Sequence, residues 1–346
     1  MSRISGGSGR PQSVRLLQPP AVPDPKILAL VLAGGQGTRL RPLTLQHAKP
    51  SVVFDRYRLV DFALSNLVNS GIDSIYLLAQ YKPESLIEHV HANWTFAPNE
   101  DDRFISIVVP QHEEDESFSG TADAVRRNLE LIERHAPDLV AVFASDQIYR
   151  MDVRQMVAYH RECNAGVTVA ATRMPLEQAI AFGVIVADAE GRIVDFQEKP
   201  EHPVPLHSHP GLAYVSMGNY LFNTDVLVEG LERLLQPGET DFGKHLLPRL
   251  AGSSRVYAYD FAGNRVPGMQ PHEDNAYWRD IGTLEAYVDA LLDVNGNRPR
   301  IRLDNPYWPV LPQLAAQRPL FGAKYAGPVV ARKSHIRSNS PYVLIE

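Results

Sequence analysis

The chain has 346 residues, a formal net charge of −6, 44% hydrophobic residues and 21% charged residues. This composition is typical of a folded globular protein and excludes a chain that is disordered over most of its length. The negative net charge disfavours nucleic acid as a partner, because a polyanion needs a basic surface. The single cysteine, Cys163, cannot form an internal disulfide and argues against redox chemistry.

The hydropathy of the chain and its N-terminal residues indicate where the protein is expected to be located. No run approaches the roughly 18 apolar residues of a membrane span, and the N-terminus lacks the apolar segment of a secretory signal. We therefore expect a cytoplasmic protein without a membrane partner. Residues 1–25 contain many prolines and predict a disordered leader.

Strand and helix patterns alternate along the first half of the folded region. Apolar runs predict strands at 27–33, 74–79, 104–109, 139–144 and 166–172, and helical spacing predicts helices at 59–69, 84–91, 121–134 and 153–162. This alternation is typical of βαβ units. We therefore expect an α/β fold of the Rossmann-like type, with a mostly parallel sheet that binds ligands beyond the carboxyl ends of its strands.

The pattern changes after residue 182. Residues 184–196 predict a hairpin that turns at Glu190-Gly191, and a strand follows at 213–222. We interpret these strands as an inserted β layer over the edge of the sheet. Further helices are predicted near 225–235, 242–250 and 283–293, with a strand at 256–260. From residue 299 onward, prolines and weak periodicity predict loops and a few short strands.

A glycine-rich loop, Gly34-Gly-Gln-Gly-Thr-Arg39, directly follows the first strand. Glycines at such a point allow backbone N–H groups to approach a polyphosphate, and Arg39 and Lys49 can neutralise its charge. The loop is not the dinucleotide fingerprint, because Leu40 stands where that motif requires its third glycine. The segment 238–244 has the spacing of a P-loop but lacks the following Ser or Thr, so we interpret it as a chance match.

The loop at 34–44 together with Lys49-Pro50 resembles the signature of the nucleotidylyltransferases that make nucleotide sugars. Within them, other segments resemble the glucose-1-phosphate adenylyltransferase family, also called ADP-glucose pyrophosphorylases. These segments are DFALSN at 61–66, QY at 80–81, GTADAV at 120–125, SDQIY at 145–149, FG at 182–183, EKP at 198–200, SMG at 216–218, DFGK at 241–244 and YWRDIGTLEA at 277–286. Their order and spacing over residues 27–309 make the resemblance specific.

The resemblance implies that a phosphate oxygen of glucose 1-phosphate attacks the α-phosphorus of ATP, giving ADP-glucose and pyrophosphate for glycogen-type synthesis. Such a reaction depends on positioning and charge neutralisation and needs no general base. It would use Mg²⁺ as cofactor, and the expected metal ligands are Asp146 and Asp280, because Mg²⁺ prefers carboxylate oxygens.

Roles for the other residues also come from the resemblance. Catalytic roles fall to Arg39, Lys49, Asp146 and Lys199. The nucleotide is expected to contact Gly34, Gly35, Gly37, Thr38, Arg39, Gln80 and Gly120. The sugar phosphate is expected to contact Phe118, Gly183, Glu198, Lys199 and Ser216. A lysine ammonium such as that of Lys199 suits a phosphate group.

The sequence departs from the family pattern at three places. Phe118 stands where the family has Tyr, which removes a hydroxyl contact to the sugar phosphate, and Ser145 stands where Gly is usual before the metal-binding Asp.

Residues 26–298 are predicted as the catalytic domain. The C-terminal extension, 299–346, does not resemble the family's C-terminal β-helix, so we expect a vestigial or truncated form of it. The lack of this domain weakens the expectation, implied by the resemblance, that the protein forms a homo-oligomer.

Two alternatives remain open at the level of sequence. One is the same fold acting on another nucleoside triphosphate and sugar phosphate. The other is a regulatory subunit without catalytic activity, which Phe118 and the missing β-helix favour. The presence of Arg39, Lys49, Asp146, Lys199 and Asp280 argues against the second alternative, because a subunit that has lost activity tends to lose such charged groups.

Overall fold

The computed structural model describes residues 24–94, 96, 103–110, 117–234, 236 and 238–311, together with the backbone of 333–334 and 342–345. The predicted leader therefore lies outside the described residues, apart from its last two positions. Within the described part of the chain, no helix combines the length and the apolar character that crossing a membrane requires.

The strands and helices alternate along most of the chain. The strands are β1 (Ile27–Ala33), β2 (Val53–Phe54), β3 (Tyr57–Arg58), β4 (Ser74–Ala79), β5 (Phe104–Pro110), β6 (Leu139–Ala144), β7 (Gln147–Tyr149), β8 (Val167–Pro175), β9 (Gly183–Ala187), β10 (Ile193–Glu198), β11 (Leu212–Asn223), β12 (Val256–Asp260), β13 (Trp278–Asp280), β14 (Lys333–Ser334) and β15 (Tyr342–Ile345). The helices are α1 (Leu59–Asn69), α2 (Glu84–Asn93), α3 (Thr121–Arg126), α4 (Leu129–His135), α5 (Val153–Glu162), α6 (Leu176–Ala179), α7 (Thr224–Glu232), α8 (Leu247–Ser253) and α9 (Leu284–Val294).

The centre of the molecule is a parallel sheet, as the alternation predicts. Strands β6, β1, β4 and β5 lie side by side in parallel. Antiparallel strands extend this sheet on both sides, in the order β10-β9-β11-β6-β1-β4-β5-β15-β14, and β8 pairs with β11 and, in parallel, with β12. The apolar run of β1 is buried along most of its length, which is typical of a strand covered on both faces.

Alternate residues of β1 point into two different hydrophobic clusters. Leu28 and Leu30 belong to a cluster with α3, α4, α7 and α8, whereas Ala29 and Val31 belong to one with α1, α2 and α5. The sheet therefore lies between two layers of helices. Because successive side chains of a strand point to opposite faces, one apolar strand contributes to both layers of the core.

Two predicted elements differ from the structure. The hairpin formed by β9 and β10 does not lie over the sheet as a separate layer, because β9 pairs with β11 and so extends the sheet at its edge. The helix predicted at 121–134 is two helices, α3 and α4. The break comes at Asn128, whose side-chain amide donates to the carbonyl of Ala124 at 2.7 Å in place of a regular helical hydrogen bond.

The packed unit continues beyond residue 298, where the C-terminal extension was predicted to begin. Ile301, Trp308 and Leu311 are buried. The side chain of Asn66 on α1 accepts hydrogen bonds from the N–H of Met151 at 2.9 Å and from the Trp308 indole at 3.2 Å. The segment 300–311 is therefore attached to the same core as the parallel sheet.

Replacing Asn66 by Ala should lower the free energy of unfolding by about 2–4 kcal/mol, because it leaves buried donors and one buried carbonyl without partners. The carbonyl is that of Tyr149, which accepts from the Asn66 amide at 3.2 Å. Asn69→Ala is the matched control, since it removes a single hydrogen bond, to the carbonyl of Pro309, and should cost about 1 kcal/mol. Urea denaturation measures both values, and equal losses would contradict the central role of Asn66.

Candidate active site

A cleft of about 470 Å³ opens at the carboxyl ends of the parallel strands. Gly34 follows β1, Gln80 follows β4, and Ser145 and Asp146 follow β6. Since β1 pairs in parallel with both β4 and β6, these residues lie along one edge of the sheet. This is the edge at which open α/β sheets bind ligands, as the sequence predicts for this chain.

Most of the residues singled out in the sequence line this one cleft. They are Gly34, Gly35, Arg39, Lys49, Gln80, Phe118, Gly120, Asp146, Gly183, Glu198, Lys199, Ser216 and Asp280. Gly37 and Thr38 do not line it. Gly37 has a φ of 62°, and a Cβ there would lie 2.9 Å from Thr44 Cγ2 and 3.0 Å from Lys49 Cβ. Only glycine suits this turn, which packs against the stem of Lys49.

The two carboxylates that were predicted as metal ligands share one lysine. Lys49 Nζ lies 2.5 Å from Asp146 Oδ2 and 3.4 Å from Asp280 Oδ1. A small antiparallel pair, β7 and β13, brings the carboxylates together, because it places Asp280 opposite Gln147, the residue after Asp146. The N–H of Ile281 also donates to the carbonyl of Asp146 at 3.3 Å.

The charges of this group shift one another's pKa values. Burial lowers the pKa of Lys49, but the two carboxylates outweigh burial and raise its pKa above the usual value. Burial and the charge of Asp146 raise the pKa of Asp280, while the charges of Lys49 and Arg39 oppose that shift. Lys49 is therefore a stable positive charge at neutral pH, next to an acidic pair.

This donor set fits a divalent cation that shares its coordination with a substrate. Among the described residues, no group of three or more His, Cys, Asp or Glu side chains could enclose a metal ion. Asp146 and Asp280 supply two carboxylates at an open cleft. Mg²⁺ binds in this way, through one or two carboxylates with the remaining positions taken by water and substrate phosphate oxygens.

Gln80 connects the glycine-rich loop to the segment before α3. Its side-chain oxygen accepts the N–H of Phe118 at 2.5 Å, and its amide donates to the carbonyls of Phe118 at 3.3 Å and Gly34 at 3.4 Å. The side chain of Gln80 thus forms hydrogen bonds with two backbone segments, as a strand does between its neighbours in a sheet. It holds the loop that begins at Gly34 and the segment at Phe118 at a fixed separation on this side of the cleft.

The opposite side of the cleft carries an acid and a base from the hairpin. Glu198 Oε1 lies 3.0 Å from Lys199 Nζ, and the Lys199 side chain is 63% exposed. Lys199 has a φ of 47°, unusual for a residue with a side chain, and its N–H donates to the carbonyl of Phe182 at 3.0 Å. Such local strain is often found at functional sites. The hydroxyl of Ser216 accepts the N–H of Gly218 at 3.1 Å.

The cleft is also lined by residues for which the sequence predicts no role, among them Gln147, Asp241, Gly243 and Trp278. Gln147 binds the carbonyl of Met217 at 2.6 Å and the indole of Trp278 at 3.0 Å, so it joins three segments of the wall. Asp241 accepts from the Thr121 hydroxyl at 3.0 Å. All four residues lie within the family-like segments, and this was the signal that the sequence offered for them. Their contacts depend on long-range packing.

Comparisons with known proteins agree with this geometry. Residues 28–296 match the family model described as nucleotidyl transferase. A glucose-1-phosphate adenylyltransferase of Thermodesulfovibrio yellowstonii is 52% identical over 309 residues, which cover 88% of this chain and 73% of the relative.

More distant relatives carry the same description. The glucose-1-phosphate adenylyltransferase of Thermus thermophilus is 47% identical over 294 residues, 82% of this chain and 70% of the relative. Glucose-1-phosphate adenylyltransferase 1 of Vibrio cholerae is 43% identical over 288 residues, again 82% and 70%. With this cleft and this similarity, the chain belongs to the nucleotidyl transferase family and, within it, to the glucose-1-phosphate adenylyltransferases.

Proposed function

We propose that the protein transfers the adenylyl group of ATP to α-D-glucose 1-phosphate, giving ADP-glucose and pyrophosphate. One observation carries this proposal: a single cleft is lined by both the Lys49–Asp146–Asp280 group and the Glu198–Lys199 pair. Two anionic substrates that react with each other need a site with charged groups of this kind for both of them. The names of the relatives select the substrates among those that such a site could hold.

The reaction forms one P–O bond and breaks another. A phosphate oxygen of glucose 1-phosphate, already ionised at neutral pH, attacks the α-phosphorus of ATP, and the bond to the β-phosphate breaks as pyrophosphate leaves. No proton has to be removed from the nucleophile. The protein therefore needs to align the two substrates and to neutralise negative charge around the α-phosphate.

The residues of the cleft divide this work between them. Backbone N–H groups of the loop that begins at Gly34 receive the phosphates of ATP, and Lys49 and Arg39 supply positive charge next to them. Asp146 and Asp280 would hold Mg²⁺, which neutralises phosphate charge and orients the leaving group when it is bound. Lys49 is held between these carboxylates, so its position is set before substrates arrive.

The β9–β10 hairpin and the residue that follows it contribute the side chains that bind glucose 1-phosphate. Lys199 binds the phosphate of glucose 1-phosphate, and the high exposure of its side chain makes the ammonium accessible to that phosphate beside its partner Glu198. The carboxylate of Glu198 accepts hydrogen bonds from glucose hydroxyls, and Ser216 completes this part of the wall. The product is a glucose unit activated by a nucleoside diphosphate, which is the kind of donor that α-glucan or glycogen synthesis consumes.

The decisive experiment for the proposal is a pyrophosphate-release assay on the purified 346-residue chain. With Mg²⁺ and glucose 1-phosphate present, ATP should release pyrophosphate, whereas UTP, dTTP and GTP should not. Release with UTP or dTTP instead would favour the same fold with another substrate pair. No release from a folded protein that binds ATP would favour a regulatory subunit.

Replacing Asp146 by Asn should lower kcat by about 10²-fold or more, because it removes one of the two carboxylates that would hold Mg²⁺ beside the phosphates. The fold should be retained, since Lys49 keeps Asp280 as a partner. Asp289→Asn, at an exposed position of α9, is the control and should leave kcat unchanged. Unchanged turnover in Asp146→Asn would remove this residue from the metal site.

Replacing Lys199 by Ala should raise KM for glucose 1-phosphate by about tenfold or more, through loss of a charge-assisted phosphate contact. KM for ATP should stay the same, because Lys199 follows β10, which three strands separate from β1 and from the loop that begins at Gly34. Lys26→Ala serves as control, since Lys26 precedes β1 at the other edge of the sheet and binds the carbonyl of His135. An equal rise of both KM values would contradict the separate sugar-phosphate role.

A further inference from the structure

We infer that Gly243 is a positioning residue for Glu198, so that the absence of a side chain at position 243 sets affinity for the sugar phosphate. The inference rests on the proposed function. It concerns the single π-helical turn Phe242–Leu246, which precedes α8 and lines the cleft at Gly243. Gly243 itself is buried and would touch no substrate in this role.

The carboxylate of Glu198 is confined at both oxygens. Oε1 lies 3.0 Å from Lys199 Nζ. A Cβ placed on Gly243 would lie 2.7 Å from Oε2, and one placed on Gly183 would lie 3.2 Å from the same atom. Two glycines from distant segments thus form a slot for Oε2, which we call the glycine slot. The slot and the lysine together fix the plane of the carboxylate, and its remaining lone pairs are available to hydroxyl groups.

The two glycines of the slot differ in what surrounds them. A Cβ at Gly183 would meet the buried ring of Phe196 at 2.6 Å and 2.8 Å, so a methyl group there would disturb the core. A Cβ at Gly243 would meet the Phe196 ring only at 3.2 Å, and its one severe contact is with the end of the flexible Glu198 side chain. Alanine at 243 is therefore accommodated by moving Glu198.

The backbone permits the same substitution. Gly243 is not among the glycines with positive φ, so alanine is compatible with its conformation. The turn also keeps its anchor, because Asp241 accepts the N–H of Lys244 at 3.0 Å. A variant with alanine at 243 should fold normally while the Glu198 carboxylate is displaced from its position beside Lys199.

The test is Gly243→Ala. KM for glucose 1-phosphate should rise by about tenfold or more, since a displacement on the order of 1 Å at a positioned group has effects of this size. KM for ATP and the melting temperature should not change. Gly252→Ala is the matched control, because it lies in α8 and a Cβ there has no atom within 4 Å. Calorimetric titration with glucose 1-phosphate should show the same loss of affinity without turnover.

A double-mutant cycle separates positioning from a general structural effect. Glu198→Ala removes the carboxylate that the slot holds, so adding Gly243→Ala to it should cause no further rise in KM. A further rise, a lowered melting temperature, or a parallel rise in KM for ATP would overturn the inference. If the wild-type chain releases pyrophosphate and Gly243→Ala behaves like the control, the inference fails while the proposed function stands. A wild-type chain that releases none refutes the function instead.

Discussion

The contact of one buried lysine with two carboxylates is the constraint on which the arrangement of the site depends. The three residues come from separate parts of the chain. Asp146 is 97 positions from Lys49 in the sequence, and Asp280 is 231 positions from Lys49. None of the three could be buried alone at low cost, because an unpaired charge in this environment is strongly disfavoured. Together they are stable, and the loop, the parallel sheet and β13 must all be in place for them to meet.

The same requirement explains why the site lies at the edge of a parallel sheet. Parallel neighbours end on the same side, so residues that follow β1, β4 and β6 converge without any long loop. Rigid strands then hold the charged groups, and only short segments after each strand need special chemistry. Gln80 is an example, because its amide replaces a strand's hydrogen bonds between two backbone segments.

Glycines contribute to this site through the space that they leave, as well as through their backbone freedom. Gly37 needs both, since its φ is positive and the stem of Lys49 lies against it. The glycine slot at Gly183 and Gly243 needs only the space, because the Glu198 carboxylate occupies it. A motif glycine next to a charged residue can therefore be part of the geometry of that charge, even where no ligand touches it.

Asp280, Glu198 and Lys199 were singled out through the resemblance to a family over the whole of residues 27–309. Local patterns in the sequence were sufficient to predict the α/β class, most of the strands and helices and the glycine-rich loop at 34–37. These features depend on hydrophobic periodicity and on residue types at short spacing, which single segments carry. The edge position of the β9–β10 hairpin and the shared partner of Asp146 and Asp280 were decided by the tertiary structure. Each of these is a contact between segments far apart in the chain, and its energy depends on packing that no local pattern records.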